Sequence, residues 1–188
     1  MTLGFVDPRF CGGFEPMLAV DLDRPALDTH EANFGGRTVH DPIEDWLAGD
    51  PKVPKADVVI GEPPCQGFSL LNKNRRGDVR RALWEPYLDI VDLSGVRMFV
   101  MENVSELYRS PELLDIQRRA KRMGFKTKAA ILNTADYGAP QTRKRTVVVG
   151  WRDDKVGAPV FPMIATHASP DLKSHLPAWR TCTDNPSC

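Results

Sequence analysis

Residues 56–69 read Ala56-Asp-Val-Val-Ile60-Gly61-Glu62-Pro63-Pro64-Cys65-Gln66-Gly-Phe-Ser69, a short apolar run that meets two prolines and then a lone cysteine. The β-branched segment 56–60 reads as a strand, and Gly61 with Pro63-Pro64 ends it. Two consecutive prolines fix two φ angles and hold the residues before them extended, so the Cys65 sulfur rides on a stiff loop. Ligands and chemistry in open α/β sheets collect beyond the carboxyl ends of strands, which is where this loop falls. A rigidly held thiolate loses less entropy on reaching attack geometry, which suits Cys65 to nucleophilic work. An arbitrary lone cysteine is more often a small buried hydrophobe. The proline bracket and the polar flank of Gln66 and Ser69 favour the reactive reading here.

Outward from this stretch, short β-rich runs alternate with segments of helical period, the pattern of an α/β domain with a largely parallel sheet. Residues 16–20 read as a strand ending at Asp21, and 24–33 as a helix closed by Gly35-Gly36, which supply the positive φ a helix end needs. Residues 80–93 place Leu83 or Trp84, Tyr87, Leu88 and Val91 on one helical face. A strand over 97–101 follows. The helix expected over 111–123 has Leu113, Leu114, Ile116, Ala120 and Met123 at core spacing, a basic outer face of Arg118, Arg119, Lys121 and Arg122, and Gly124 to end it. Strands over 128–132 and 146–151, joined through the turn Tyr137-Gly-Ala-Pro140, complete the set. After about Asp153 the period is lost and prolines recur, which divides the chain into a catalytic region, 1–152, and a linker or the opening of a further region, 153–188.

Two further features carry chemistry. In Phe99-Val-Met-Glu102-Asn103-Val104 a carboxylate follows an apolar strand directly. Partial desolvation there raises a carboxyl pKa and suits Glu102 to hold or donate a proton near neutrality; an ordinary strand-end acid capping a turn is the competing reading. In Gln141-Thr-Arg143-Lys-Arg145 the alternation of a strand sends Gln141, Arg143 and Arg145 to one face. A solvated charge run is the ordinary explanation of such a segment, but Asn133, Asp136 and Tyr137 just upstream favour a directed site.

The 188 residues carry 25 Lys+Arg against 25 Asp+Glu, and 41% are apolar, which excludes a disordered or fibrous chain and allows one sizeable core. The zero net charge hides an asymmetry. Residues 1–72 hold 5 basic and 12 acidic side chains, 73–145 hold 16 and 9, and 146–188 hold 4 and 4. A basic middle of this kind suggests a face built for an anion such as nucleic acid. Cys11, Cys65, Cys182 and Cys188 stand far apart with no zinc-type spacing, so no structural metal is expected. No leader-like start and no apolar run of membrane length is present, so no membrane contact is expected. A reducing setting is expected, cytoplasmic in a prokaryotic or phage-like context or associated with the nucleoid.

Taken in order, Pro-Pro-Cys-Gln-Gly-Phe-Ser, Glu-Asn-Val and Asn-x-x-Asp-Tyr-Gly-x-Pro-Gln-x-Arg-x-Arg closely resemble the motifs of the DNA (cytosine-5) methyltransferases, over roughly residues 1–151. The resemblance implies a Rossmann-like S-adenosylmethionine-dependent methyltransferase fold. It implies that the Cys65 thiolate adds to C6 of a cytosine flipped out of double-stranded DNA, so that C5 can take the methyl group of S-adenosylmethionine. Glu102 would contact N3 and the exocyclic amine, Arg145 the base O2, and Arg143 the same loop or a nearby phosphate. Pro63, Pro64, Gln66, Ser69, Asn103 and Gln141 would position the substrate. Asp21 matches the acid that receives the ribose hydroxyls, Leu22 the residue packed on the adenine, Asp41 the acid near the adenine amine, and Leu83, within Asp78-x-Arg80-x-x-Leu83, a border of the cofactor site. Read without the family, Asp21 and Asp41 are capping or loop acids.

The sequence departs from the family at three places. Only Met1-Thr-Leu-Gly4-Phe5 corresponds to the glycine loop that wraps the methionine end of the cofactor, so the fold is expected to be incomplete, without its first strand. The target-recognition region is also expected to be missing, which points to a complementing chain as a partner. Glu62 stands where a small residue is usual, and an acid facing the sulfur would raise the Cys65 pKa. Two other readings remain open: a catalytically incomplete fragment that binds DNA, and an RNA cytosine methyltransferase, whose Cys-Phe-Thr signature the sequence lacks.

Overall fold

The computed structural model describes residues 1–10, 12–64, 83–168 and 175–178. Cys65, Gln66, Ser69, Asp78 and Arg80 lie outside the described residues. Among the described residues, six strands form two sheets: β1 (Leu18–Asp21) pairs in parallel with β2 (Arg37–His40), and β3 (Val58–Gly61), β4 (Met98–Val104), β5 (Lys126–Asn133) and β6 (Lys144–Trp151) form a four-stranded sheet in the order β3-β4-β6-β5.

Within the larger sheet only β3 and β4 are parallel; β6 runs antiparallel to both β4 and β5. A largely parallel sheet was the expectation from the alternation of elements. The connection from Asn133 to Lys144 explains the difference, because it is too short for a crossover and can only return the chain antiparallel.

Helix α2 (Arg24–Phe34) begins where Asp23 accepts the Ala26 N–H at 3.3 Å and ends at Gly35, φ +70°. Gly36 passes so near the Pro16 carbonyl that a Cβ there would sit 2.5 Å from its oxygen, which fixes the approach of β2 to β1. Helix α4 (Trp84–Ser94) closes at Gly95 in the left-handed region, and α5 (Pro111–Arg122) starts with proline in its first turn. Five elements were not anticipated: β2, the short helix α3 (Ile43–Ala48), the five-residue helix α1 (Thr2–Val6) in the segment read as the tail of a glycine loop, and two 3-10 helices, Ser105–Arg109 and Thr134–Tyr137.

Burial along β4 alternates strictly, with Phe99, Met101 and Asn103 inward and Met98, Val100, Glu102 and Val104 half-buried on the other face. The inward face packs against Tyr87, Leu88 and Val91 of α4 and Leu113, Ile116 and Ala120 of α5. Phe99 stacks edge-on against Tyr87 and Phe125, at centroid distances of 6.2 and 5.2 Å. Its ring lies over Gly150, where any Cβ would fall 2.0 Å from Cε1, so the pairing of Phe99 with Gly150 across β4 and β6 is a steric necessity.

Beyond β6 the chain forms no further helix or strand among the described residues, apart from one bridge between Ala168 and Ala178. It folds back instead: the Thr166 and His167 amides donate to the Asp136 carbonyl at 2.8 and 3.0 Å, and the Tyr137 hydroxyl donates to the Met163 carbonyl at 3.0 Å. Gly138, φ +88°, leaves room for His167; a Cβ would meet its ring at 2.9 Å.

Candidate active site

The carboxyl ends of β3 and β4 and the start of β6 meet at one edge of the larger sheet. Glu102 was expected just after a strand, but β4 continues through Val104 because β6 pairs with it to that point, Val104 opposite Arg145. Glu102 therefore projects from within a strand, opposite Val147, and Arg145 lies diagonally beside it on the same face. Arg145 Nε reaches Glu102 Oε1 at 2.9 Å, and Arg143 extends a second guanidinium nitrogen to 3.9 Å from the same oxygen. The Arg145 fork is further held by a bond to the Lys144 carbonyl at 2.8 Å.

Burial raises the Glu102 pKa above its ordinary value, and the nearby Glu62 carboxylate adds to the rise; the charges of Arg145 and Arg143 oppose both. The result is a carboxyl group that retains its proton more readily than a free glutamate while standing against two fixed cations.

Asn103 points to the opposite, buried face. Its Nδ2 donates to the Pro63 carbonyl at 3.0 Å, and its Oδ1 accepts the Val104 N–H at 2.9 Å. Pro63 and Pro64 line a crevice with Trp84, Met101, Asn103 and Leu107, so the proline loop is anchored on the α4–α5 side of the sheet. Tyr87 secures the two strands below it: its buried hydroxyl shares its hydrogen between the Val59 and Val100 carbonyls, at 3.3 and 3.0 Å. Burial pushes the Tyr87 phenol well above its usual pKa. The ring closely approaches Gly61, where a Cβ would come within 2.4 Å of Cε2. Sequence reading placed Tyr87 only in the core. The available signal was a phenol on an otherwise apolar helical face, since a buried hydroxyl must find a partner.

The structure thus brings together Glu102, Arg143 and Arg145, and ties Asn103 to Pro63. Gln141 lies in the turn before β6 with its carbonyl accepting from the Thr134 hydroxyl at 2.5 Å, and its side chain is exposed. Asp21, Leu22 and Asp41 form a separate group. The register pairs Asp21 with His40, which places Asp21 and Asp41 at neighbouring carboxyl ends of β1 and β2. Asp21 accepts the Asp23 N–H at 2.9 Å, His40 Nε2 lies 3.0 Å from the Leu22 carbonyl, and Leu22 itself is 67% exposed. Leu83 immediately precedes α4. Among the described residues no ion pair or hydrogen bond links these residues to Glu102.

Among the described residues, the basic side chains of the middle of the chain do not share one face. Arg143 and Arg145 lie at the Glu102 edge, whereas Lys121, Arg122 and Lys126, at the end of α5 and the start of β5, lie at the opposite edge, where Lys126 pairs with Trp151 in register. Lys126 is also ion-paired with Asp153 there. Among the described residues no group of three or more His, Cys, Asp or Glu is placed to hold a metal ion, and no helix is long and apolar enough to cross a membrane.

This edge thus holds a proton-retaining carboxyl, two guanidinium groups and a proline-stiffened loop, and the family model for C-5 cytosine-specific DNA methylases matches residues 1–180. The chain belongs to that family. It is 37% identical over 161 residues to the type II methyltransferase M1.HphI of Haemophilus parahaemolyticus, covering 80% of this chain and 43% of the relative. It is 33% identical over 180 residues to M.DdeI of Desulfomicrobium norvegicum, covering 91% of this chain and again 43% of the relative. The chain therefore spans less than half the length of these curated relatives. The same mixed α/β fold recurs in the crystal structure of a candidate DNA modification methyltransferase from an Escherichia coli prophage, with 26% identity and a TM-score of 0.58 over 76% of this chain and 41% of that one. A Spodoptera frugiperda DNMT2 mutant shares the fold alone, at 22% identity and a TM-score of 0.61, over 90% of this chain and 51% of that one. The likeness to both establishes an α/β methyltransferase fold of the Rossmann-like type, of which this chain holds a part.

Proposed function

We propose that this chain carries the catalytic centre of an enzyme that transfers a methyl group from S-adenosylmethionine to C5 of a cytosine flipped out of double-stranded DNA. The observation that supports this most directly is Glu102, its proton retained by burial, held by Arg145 at 2.9 Å beside the anchored Pro63-Pro64 loop.

Cytosine C5 is a poor nucleophile, and the residues in hand answer that difficulty. Addition of the Cys65 thiolate to C6 forms an S–C6 bond, and the C5=C6 electron pair becomes available at C5 as N3 takes the Glu102 proton. After C5 has gained the methyl group, its proton leaves to solvent and the S–C6 bond breaks, which restores the double bond and the thiolate. N3 then returns its proton to Glu102. Arg145 and Arg143 hold the carboxyl in place and face the base O2 and a phosphate, where negative charge gathers. Extrusion of the base from the duplex costs a few kcal/mol, which contacts in such a pocket offset.

The β1–β2 edge suits the cofactor. Asp21, exposed, and Asp41, half-buried, are acids at adjacent strand ends, fit to accept from hydroxyls and an amine, and the exposed Leu22 offers an apolar surface for a purine. Leu83 would border the same site. S-adenosylmethionine supplies a methyl group on a positively charged sulfur.

Trapping tests the proposal. A duplex with 5-fluorocytosine at its target, mixed with S-adenosylmethionine, is incubated with the chain, alone and with a second polypeptide corresponding to the rest of its relatives' length. A covalent adduct that disappears in Cys65→Ala is expected. The absence of any adduct in both mixtures overturns the reading.

A further inference from the structure

Strand register sets a second carboxylate beside Glu102. The parallel pairing of β3 with β4 ends with Gly61 opposite Met101, so the next residue on each strand, Glu62 and Glu102, occupies a neighbouring position and leaves the backbone toward the same face. Like charges so placed repel, and such a pair is destabilising unless something uses it. The remaining charges are unevenly shared. Arg145 of β6 and Arg143 just before that strand both pair with Glu102, whereas the ion-pair partner of Glu62 among the described residues is the Met1 ammonium at 3.4 Å.

This arrangement resolves a conflict in the site. An ionised carboxylate can only accept hydrogen bonds, and a carboxyl that meets a ring nitrogen must donate one. Arg145 at 2.9 Å and Arg143 at 3.9 Å both draw the proton off Glu102. Against them stand burial and the Glu62 charge; the other groups facing this cluster are the Met1 ammonium on Glu62 and no further titratable side chain from β3, β4 or β6 among the described residues. We propose that Glu62 is a positioning residue of this site: its carboxylate, held next to Glu102 by the β3–β4 register, keeps the proton on Glu102 against the pull of Arg143 and Arg145. Its catalytic meaning rests on the reading of Glu102 as the acid that meets the base; the proton itself does not.

The test is carboxyl 13C NMR of the chain, with Glu102 assigned through Glu102→Gln and titrated in the wild type, Glu62→Gln, Glu62→Ala and Glu62→Asp. Loss of the charge in either Gln or Ala is expected to raise the Glu102 proton dissociation constant by about threefold or more, while Asp retains most of the wild-type value. Glu106→Gln, one turn away in sequence, should leave the Glu102 midpoint where it is. Glu62 is about half exposed, so removing its charge does not open the core. A Glu102 midpoint unmoved in both neutral variants overturns the inference, as does an equal movement in Asp. Neither outcome bears on whether the adduct forms on 5-fluorocytosine DNA, so the two ideas fail separately.

Discussion

Asn103 reaches from the buried face of β4 to donate its amide hydrogen to the Pro63 carbonyl at 3.0 Å, across forty residues of chain. This one bond ties the loop that leads into Cys65 to the strand that carries Glu102, and it does so from the face of the sheet opposite to Glu102. Asn103→Ala removes it and leaves the Val104 amide without its Oδ1 acceptor. A loss of about 1–2 kcal/mol in urea unfolding is expected. Adduct formation on 5-fluorocytosine DNA should slow by more than that loss of folded protein explains, while S-adenosylmethionine affinity, measured by calorimetry, stays unchanged.

The raised pKa of Glu102 makes a prediction about pH. A carboxyl that binds its proton more tightly folded than unfolded contributes stability that is full below its ordinary value of 4.5 and is lost as pH rises through the raised folded value. Urea midpoints of the wild type should therefore fall across that window relative to Glu102→Gln, whose side chain does not titrate. Arg145→Ala removes an opposing charge, so the window should extend to higher pH. Parallel pH profiles for wild type and Glu102→Gln would count against the assignment.

Gly61 and Tyr87 form a steric and hydrogen-bonded unit. Gly61→Ala forces the Tyr87 ring away and should destabilise the fold by roughly 1–3 kcal/mol. Tyr87→Phe alone loses only the bond shared by the Val59 and Val100 carbonyls, about 1 kcal/mol. Because a displaced ring has already lost that bond, the double variant should fall short of the sum, which a double-mutant cycle reads directly.

Phe99 and Gly150 behave as a matched pair. Phe99→Ala leaves a cavity at the centre of the core and should cost about 3–5 kcal/mol. Gly150→Ala places a methyl against the ring and should be comparably severe. Phe99→Leu in the Gly150→Ala background should recover part of the loss, as measured by thermal unfolding.

At the β1 edge, Asp21→Asn keeps the shape and the bond from the Asp23 amide but removes the charge. A roughly tenfold weaker binding of S-adenosylmethionine is expected, from the loss of a charge-assisted hydrogen bond. Unchanged affinity by calorimetry would remove Asp21 from the cofactor site.

How much of this was legible in the sequence differs from residue to residue. Long apolar strands and helices with a repeating face declared themselves, as did the order Pro-Pro-Cys, Glu-Asn-Val and Gln-x-Arg-x-Arg. The strand over 37–40 did not, because Arg37-Thr-Val-His40 holds a single aliphatic side chain and owes its conformation to pairing with β1. Helix α3 is six residues long, too short for periodicity, although Glu44 and Asp45 in its first turn were a usable mark. The extension of β4 through Glu102, Asn103 and Val104 came from β6, a partner distant in sequence. The juxtaposition of Glu62 with Glu102 was out of reach for the same reason: register is a property of two strands, and neither motif contains it.

The bonds from Thr166 and His167 to the Asp136 carbonyl give the molecule a mechanical linkage. Asp136 lies eight residues ahead of the strand that bears Arg145, in a turn that Thr134 clasps through the Arg143 and Gln141 carbonyls. Tension applied to the chain beyond Ala168 is thus delivered to the turn that leads into the arginine strand. Whatever grips that end of the polypeptide also pulls on the hand that holds Glu102.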